Sequence, residues 1–326
     1  MKKKTVSIMV AATMALSLFA GCGSSKDTAT EDTSKTESTE TTDESIENAS
    51  AETTDESSRT TFTVGFDAEY PPYGYMDDDG EYTGFDLELA QAVCDKEGWE
   101  LVKKPINWDS KDMELNSGSI DCIWNGFTIN GREDDYTWSD SYLNNEQVMV
   151  VAADSGIEKL DDLAGKNVVV QAASAALDAL NSDDNKDLTA SFASLTENPD
   201  YNTAFMNLDS GAADAIAVDI GVAKYQLSQR EEGKYVILDE PIQSEQYGIG
   251  FKKGNDELKD TVWEEVLKLY DAGEVDKLAE KYEVADMLCI GDDEKSDDKK
   301  DDAAEDDASD ADTAKEDTAD TAKDAE

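Results

Sequence analysis

The sequence predicts an α/β fold in two lobes joined by two crossing strands. Three observations predict it. Short apolar strands alternate with helical patterns through residues 61–290, an order that implies parallel pairing. A phrase occurs twice, as Leu115-Asn116-Ser117-Gly118-Ser119-Ile120-Asp121 and as Leu208-Asp209-Ser210-Gly211-Ala212-Ala213-Asp214. Each copy ends a helical pattern at Ser-Gly, turns and enters an apolar strand, as two lobes on one plan would. Gly118 and Gly211 suit the left-handed position just past a helix. Two further apolar runs, residues 148–152 and 247–251, stand where the chain would cross between the lobes and return.

Thr61 to Phe66 alternates Phe62, Val64 and Phe66 and reads as the first strand. Pro71-Pro72 makes a turn, and Asp78-Asp79-Gly80 a hairpin-like stretch. Asp86 reads as the N-cap of a helix with Leu87, Ala90, Val93 and Cys94 on one face, ending near Gly98. A strand begins at Val102, a helix spans Asp109 to Ser117, and a strand spans Ile120 to Trp124. Leu160 to Lys166 is a short helical turn closed by Gly165. Val168 to Val170 is a buried strand running into Gln171, with a helix starting at Ser174. Asn198-Pro199 opens the helix carrying Ala204, Phe205 and Leu208. The strand Ala215 to Val218 ends at Asp219, which precedes a helix over Ile220–Ser228. Helices over Thr261–Ala272 and Glu274–Glu283, separated by Gly273, complete the core.

Sequence flanking the core is of another kind. Lys2, Lys3 and Lys4 precede an apolar stretch, Val6 to Ala20, that is short for a bilayer span, and Phe19-Ala20-Gly21 leads to Cys22. This pattern resembles a bacterial lipoprotein signal, which implies acylation of Cys22 as the first mature residue. Residues 23–60 and 291–326 are almost wholly small, polar and charged, a composition that cannot bury enough apolar surface to offset ordering. The expected organisation is a signal peptide at 1–21, lipidated Cys22 and a disordered linker to 60, a first lobe from 61–150 and 246–290, a second lobe at 151–245, and a disordered acidic tail at 291–326. The chain carries a formal charge of −49, of which about −32 falls in the core. Such a surface repels nucleic acid and anionic lipid. There is no histidine, and the spacing of Cys94, Cys122 and Cys289 fits no zinc pattern. A metal site is therefore not expected, nor a cofactor. Cys94 and Cys122 read as core residues, and a disulfide among the three stays open.

Function is read from the residues just past the two repeats. The first strand runs out into Asn125, Gly126, Phe127 and Thr128, with Arg132 beyond. The second runs out at Asp219. Ligands of open α/β sheets bind outside the carboxyl ends of strands. One lobe thus offers a cation and hydroxyls, the other a carboxylate. Across a cleft these suit a molecule bearing both charges, such as a free α-amino acid.

Gly84-Phe85-Asp86-Leu87-Glu88-Leu89-Ala90, Ile120-Asp121, Thr128-Ile129, Arg132, Trp138-Ser139-Asp140-Ser141-Tyr142, Asp162-Leu163-Ala164-Gly165-Lys166 and Gly248-Ile249-Gly250 together resemble the polar amino-acid-binding proteins of ABC importers, over roughly residues 61–286. The resemblance implies a type 2 periplasmic-binding-protein clamp that closes on one amino acid and delivers it to a membrane permease. It implies that Arg132 pairs with the ligand α-carboxylate and Asp219 with its α-ammonium. Thr128, the backbone near Gly126, and Ser174 would bind the same ligand atoms. Tyr70 and Trp108 would flank the ligand side chain, and Asp67 would reach a polar side chain. Gly126 stands where some members carry a hydroxyl residue. The partners implied are a polar amino acid (cationic, or cystine), permease subunits and, through the lipid, the outer face of the cell membrane, with a monomeric chain. An acidic ligand is disfavoured because no second basic residue is apparent near Arg132. Two other readings stand beside this one. A sensor or scaffold would bind ligand without feeding a transporter. A dehydratase on the same fold would need a general acid or base, and the candidate carboxylates already have binding roles, so no enzyme activity is expected.

Overall fold

The computed structural model describes residues 59–291. The signal, Cys22, nearly all of the linker and the acidic tail lie outside the described residues.

The chain opens with β1 (Thr61–Phe66), then β2 (Glu69–Tyr70), β3 (Gly74–Met76) and β4 (Tyr82–Thr83), the last three forming a small antiparallel sheet. Helix α1 (Phe85–Glu97) and β5 (Glu100–Pro105) come next. A 3₁₀ turn at Trp108–Ser110 precedes α2 (Lys111–Asn116), then come β6 (Cys122–Thr128) and β7 (Thr137–Trp138). The long β8 (Leu143–Ala152) leads through a 3₁₀ turn at Leu160–Leu163 to β9 (Asn167–Gln171). Beyond it are α3 (Ala175–Asn181), α4 (Lys186–Ser191), β10 (Ser194–Asn198), α5 (Tyr201–Ser210), β11 (Ala215–Asp219), α6 (Ile220–Ser228) and β12 (Tyr235–Ile237). A second long strand, β13 (Gln243–Phe251), returns the chain to α7 (Asp256–Asp271) and α8 (Glu274–Lys281).

The main sheet runs β10-β9-β11-β8-β13-β6-β1-β5. Its two ends are parallel: β1 pairs with β5 and β6, and β9 pairs with β10 and β11. Between them β8 and β13 cross. Residues 143–147 of β8 pair with 243–247 of β13, while 147–151 pair with β11 in the other half. Tyr247 to Phe251 of β13 then pairs with β6. The two-lobe α/β clamp with two crossing strands is thus the observed fold. One apolar cluster, with Met149, Val168, Val170, Leu180 and Ala217, lies within the half built on β9 and β11, while a larger one runs through both halves, from Phe62, Phe66 and Phe85 to Val169, Phe205 and Val218. Gly118 (φ 75°) and Gly211 (φ 74°) both sit in the left-handed region after their helices, so the repeated phrase marks equivalent turns.

Several local expectations are corrected. Helix α1 starts two residues earlier than a cap at Asp86 requires: Gly84 is the N-cap, and Asp86 is fully buried within the first turn. Asp200, not Asn198-Pro199, caps α5, accepting from Thr203 N at 2.7 Å. Both crossing strands extend well beyond their apolar runs, because their polar ends are paired with each other. The strands β10 and β12 and the helix α4 carry no strong apolar periodicity and add to the expected elements. Cys94 and Cys122 are buried free thiols.

Candidate ligand-binding cleft

The carboxyl ends of β6, β9 and β11 face one cavity. Seven of the expected residues line it: Tyr70, Trp108, Gly126, Thr128, Arg132, Ser174 and Asp219, joined by Asn125, Gln171 and Ala175. The eighth, Asp67, lines an adjoining crevice of about 540 Å³ that also holds Glu69, Asp109 and Asp200, with Trp108 forming the wall between the two. The cavity itself has closed to about 10 Å³, about the space of one water molecule. An amino acid therefore requires the halves to part.

The contacts that hold the cleft shut join one half to the other. Arg132 Nη2 meets Asp178 Oδ2 of α3 at 2.6 Å. Gln171 Nε2 donates to Asp67 Oδ2 at 2.6 Å, and Asn202 of α5 donates to Glu69. Lys111 Nζ reaches the Ala173 carbonyl at 3.4 Å. The Tyr70 and Tyr201 rings approach to 5.9 Å between centroids.

Each predicted residue has a defined local role. Arg132 lies past the turn after β6, its guanidinium over the buried Phe127 ring at 5.4 Å and its carbonyl accepting from Trp138 Nε1. Thr128 donates its hydroxyl to Glu245 Oε1 at 2.8 Å, which leaves its oxygen to accept from a ligand. Gly126 has φ 56°, and a Cβ there would lie 3.0–3.2 Å from the rings of Tyr247, Tyr73 and Tyr70. This crowding leaves no room for a hydroxyl side chain at position 126. The Gly126 N–H is donated to Asp86 Oδ2 at 2.6 Å, so it is already committed within the protein. Ser174 is the N-cap of α3, accepting from Leu177 N and donating to Gln171 O. Asp67 accepts from Glu69 N, and burial pushes its carboxyl up to about 6.

Asp219 is 3 % exposed and does not cap α6 through its side chain. Its Oδ1 instead accepts from Asn145 Nδ2 and Gln147 Nε2, each at 2.7 Å, and from the Tyr247 hydroxyl. Burial, opposed by these donors, raises its pKa above the usual carboxylate value. Behind it lies Glu245, which is absent from the residues the sequence points to. Asn145 and Gln147 sit two apart on β8 and so face the same way. The register sets Asp219 opposite Gln147 and Glu245 opposite Asn145. The two amides thus bridge the two carboxylates. The sequence signal for this cluster is the polar alternation Asn145, Gln147 and Gln243, Glu245, in segments that otherwise read as loop.

Lys111 corrects a further expectation. It is buried, with its ammonium 5.4 Å from the centroid of Trp108. Burial first, then the Arg132 charge, lowers its pKa. A second basic residue therefore does stand near Arg132, and its absence is no ground against an acidic ligand. Among the described residues no cluster of three or more His, Cys, Asp or Glu could hold a metal ion, and no helix is long and apolar enough to cross a membrane.

A two-lobe clamp with a cation and a carboxylate meeting in its cleft defines a solute-binding protein. Residues 62–285 match the bacterial extracellular solute-binding proteins, family 3, and the chain belongs to that family. It is 30 % identical over 232 residues to the L-cystine-binding protein TcyJ of Escherichia coli (strain K12), covering 70 % of this chain and 85 % of that protein. It is 29 % identical over 229 residues to the arginine-binding extracellular protein ArtP of Bacillus subtilis (strain 168), covering 69 % and 87 %. A solved ABC uptake transporter substrate-binding protein from Streptococcus pneumoniae with bound histidine superposes with a TM-score of 0.66 at 31 % identity, covering 68 % of this chain and 92 % of that one. The chain has a substrate-binding role of the amino-acid-transport kind, and its family is extracellular.

Proposed function

We propose that the protein captures a polar amino acid between its lobes and delivers it to an ABC permease, held at the outer face of the cell membrane by a lipid on Cys22. The observation that carries this reading is that Arg132 and Asp219, brought from opposite halves of the sheet, line one cavity. Arg132 supplies a planar fork for the α-carboxylate, and Asp178 occupies it in the closed form. Asp219 receives the α-ammonium, with the Thr128 oxygen as a second acceptor. Ser174 at the start of α3 and the backbone around Gly126 frame the amino-acid moiety, while Tyr70 and Trp108 flank the side chain. Asp67 lines the adjoining crevice, where Glu69, Asp109 and Asp200 add negative charge. That crevice favours a cationic side chain or the far end of cystine. The ligand docks on the half carrying Arg132, and contacts made only on closure draw Asp219 and Ser174 in. The chain works as a monomer that binds and releases without chemical change.

A thermal-melt screen of the stripped protein against the common amino acids, cystine, sugars and divalent metals tests this. A ligand at 100 times its dissociation constant adds about 2.7 kcal/mol. A shift with one class of amino acid is expected; shifts only with sugar or metal would end the amino-acid reading. Anchoring is tested separately: Cys22→Ser should move the protein from the membrane fraction to the medium.

A further inference from the structure

Asp219 and Glu245 are 3 % and 4 % exposed, and among the described residues neither forms an ion pair with a lysine or arginine. The Asn145 amide donates to both, at 2.7 and 2.8 Å, and the Gln147 amide donates to both, at 2.7 Å each. Each NH₂ has two hydrogens, so both are fully used. Carboxylates held by the same two nitrogens are close neighbours, and like charges so placed resist simultaneous ionisation. The cluster also has a surplus of acceptors. Asn145 Oδ1 and Gln147 Oε1 are buried without a donor, and buried acceptors without donors are costly. Two things relieve such a surplus: a proton, or a cation rich in N–H groups.

The cation nearest in the cleft is otherwise engaged: Arg132 lines the same cavity as Asp219 but pairs with Asp178 at 2.6 Å. Thr128 on β6 and Gln243 on β13 bring neutral donors. The hydroxyls of Tyr70, Tyr73, Tyr201 and Tyr247 bring no positive charge, and burial pushes all four pKa values further up. Lys224 lines the hinge crevice on the far side of Glu245, but there it pairs with Asp286 at 3.1 Å, and Glu146 adds negative charge.

We propose that Glu245 is a positioning residue for the ligand's ammonium group: in the ligand-free protein it shares one proton with Asp219 across the Asn145 and Gln147 amides, and an arriving ammonium expels that proton to solvent. Binding is then linked to the release of up to one proton, and the site selects ligands that carry a protonated amine. The proposal rests on the amino-acid reading of the cleft. Burial, and then the Asp219 charge, raises Glu245 to about 7, which places the exchange near neutrality. Below about pH 7 the ammonium must displace a bound proton, so affinity weakens as pH falls, by up to tenfold per unit.

The test is calorimetric titration of the full chain with L-arginine, L-histidine, L-glutamine and L-cystine, at several pH values between 5.5 and 8, in buffers of differing ionisation enthalpy. Proton release approaching one per amino acid bound, fading toward pH 8, is expected. Glu245→Gln keeps an oxygen for Thr128, Asn145 and Gln147, and Gln243 can turn its amide to match. In that variant proton release and the pH slope should vanish while binding persists. Asp67 also has a raised pKa, so a slope unchanged in Glu245→Gln would overturn the assignment to Glu245. Binding without proton release in the wild type would overturn the proposal and leave the amino-acid reading intact. Binding of none of the four would count against that reading itself, and the proposal would fall with it.

Discussion

Arg132 and Asp178 form an ion pair of 2.6 Å across the cleft, with the arginine side chain 11 % exposed and the aspartate 65 % exposed. The guanidinium that should receive a ligand carboxylate is thus already holding one from the opposite half of the molecule. Asp178 lies on α3, one turn beyond Ser174, and moves with that half when the cleft opens. It therefore competes with ligand for Arg132 in the closed form. Because Asp178 is largely solvated, the pair is worth about 0–1 kcal/mol. Asp178→Asn should tighten amino-acid binding by up to about fivefold. Arg132→Ala should abolish binding with the melting temperature of the ligand-free protein little changed. Calorimetry on both variants decides the matter: weaker binding by Asp178→Asn would mean that Asp178 holds Arg132 in place for the ligand instead.

Asp219 can be separated from the fold in the same way. Its Oδ1 accepts from Asn145, Gln147 and Tyr247, and the Tyr70 hydroxyl also bonds to the carboxyl. An asparagine can keep one such acceptor, and it removes a buried charge that has no cationic partner among the described residues. Asp219→Asn should leave stability unchanged or slightly raised. A charged hydrogen bond contributes about 1.5–3 kcal/mol, so affinity should fall by about ten- to a hundredfold. Equal losses of stability and affinity would show a structural residue.

At Gly126 the backbone and its neighbours exclude a side chain. With φ 56° and three tyrosine rings within 3.0–3.2 Å of a Cβ, Gly126→Ser meets both strain and overpacking. Each effect costs about 1–3 kcal/mol. Unfolding in urea should show that loss, and binding should weaken because Tyr70 is displaced. A stable variant with unchanged affinity would mean that the rings yield easily.

The sequence discloses the parts of this molecule that have a local signature. Alternating Phe62, Val64 and Phe66, the run Val168–Val170 and the two Ser-Gly turns each specify their own conformation, and each is found. Arg132, Asp219 and Ser174 can be picked out because they stand at, or within four residues of, the ends of strands that can be located. What escapes depends on partners distant in the chain. Glu245 becomes notable only when β13 pairs with β8 and sets it opposite Asn145. Asp86 reads as a cap because Asp favours that position. Its carboxylate instead bonds to Gly126 and Tyr142, 40 and 56 residues away. Lys111 has no local signature, because its burial depends on Trp108 and on contact with Ala173, 62 residues away.

The buried carboxylates make stability itself depend on pH, with a direction that can be worked out. Burial, partly opposed by the Gly126 and Tyr142 bonds, raises Asp86 to about 7. Glu245 rises to about 7 and Asp67 to about 6. A carboxyl whose pKa is higher folded than unfolded binds more protons in the folded state. Its contribution is full below the unfolded value near 4 and is lost as pH rises through the folded value. Asp209, lowered first by the Lys234 hydrogen bond, acts oppositely, but its window lies below about 4. Between about pH 4 and 7 the raised groups therefore dominate, and the self-repulsion of a chain at −49 adds in the same direction. The protein should be most stable in mildly acid solution and lose stability toward neutrality, each fully linked proton contributing up to about 1.4 kcal/mol per pH unit. Asp86→Asn keeps an acceptor for the Gly126 N–H and the Tyr142 hydroxyl, and it removes one titrating group. Denaturant unfolding from pH 4.5 to 7.5 should show a shallower decline in this variant than in the wild type. Parallel curves would mean that Asp86 is ionised in the fold, with its two donors outweighing burial.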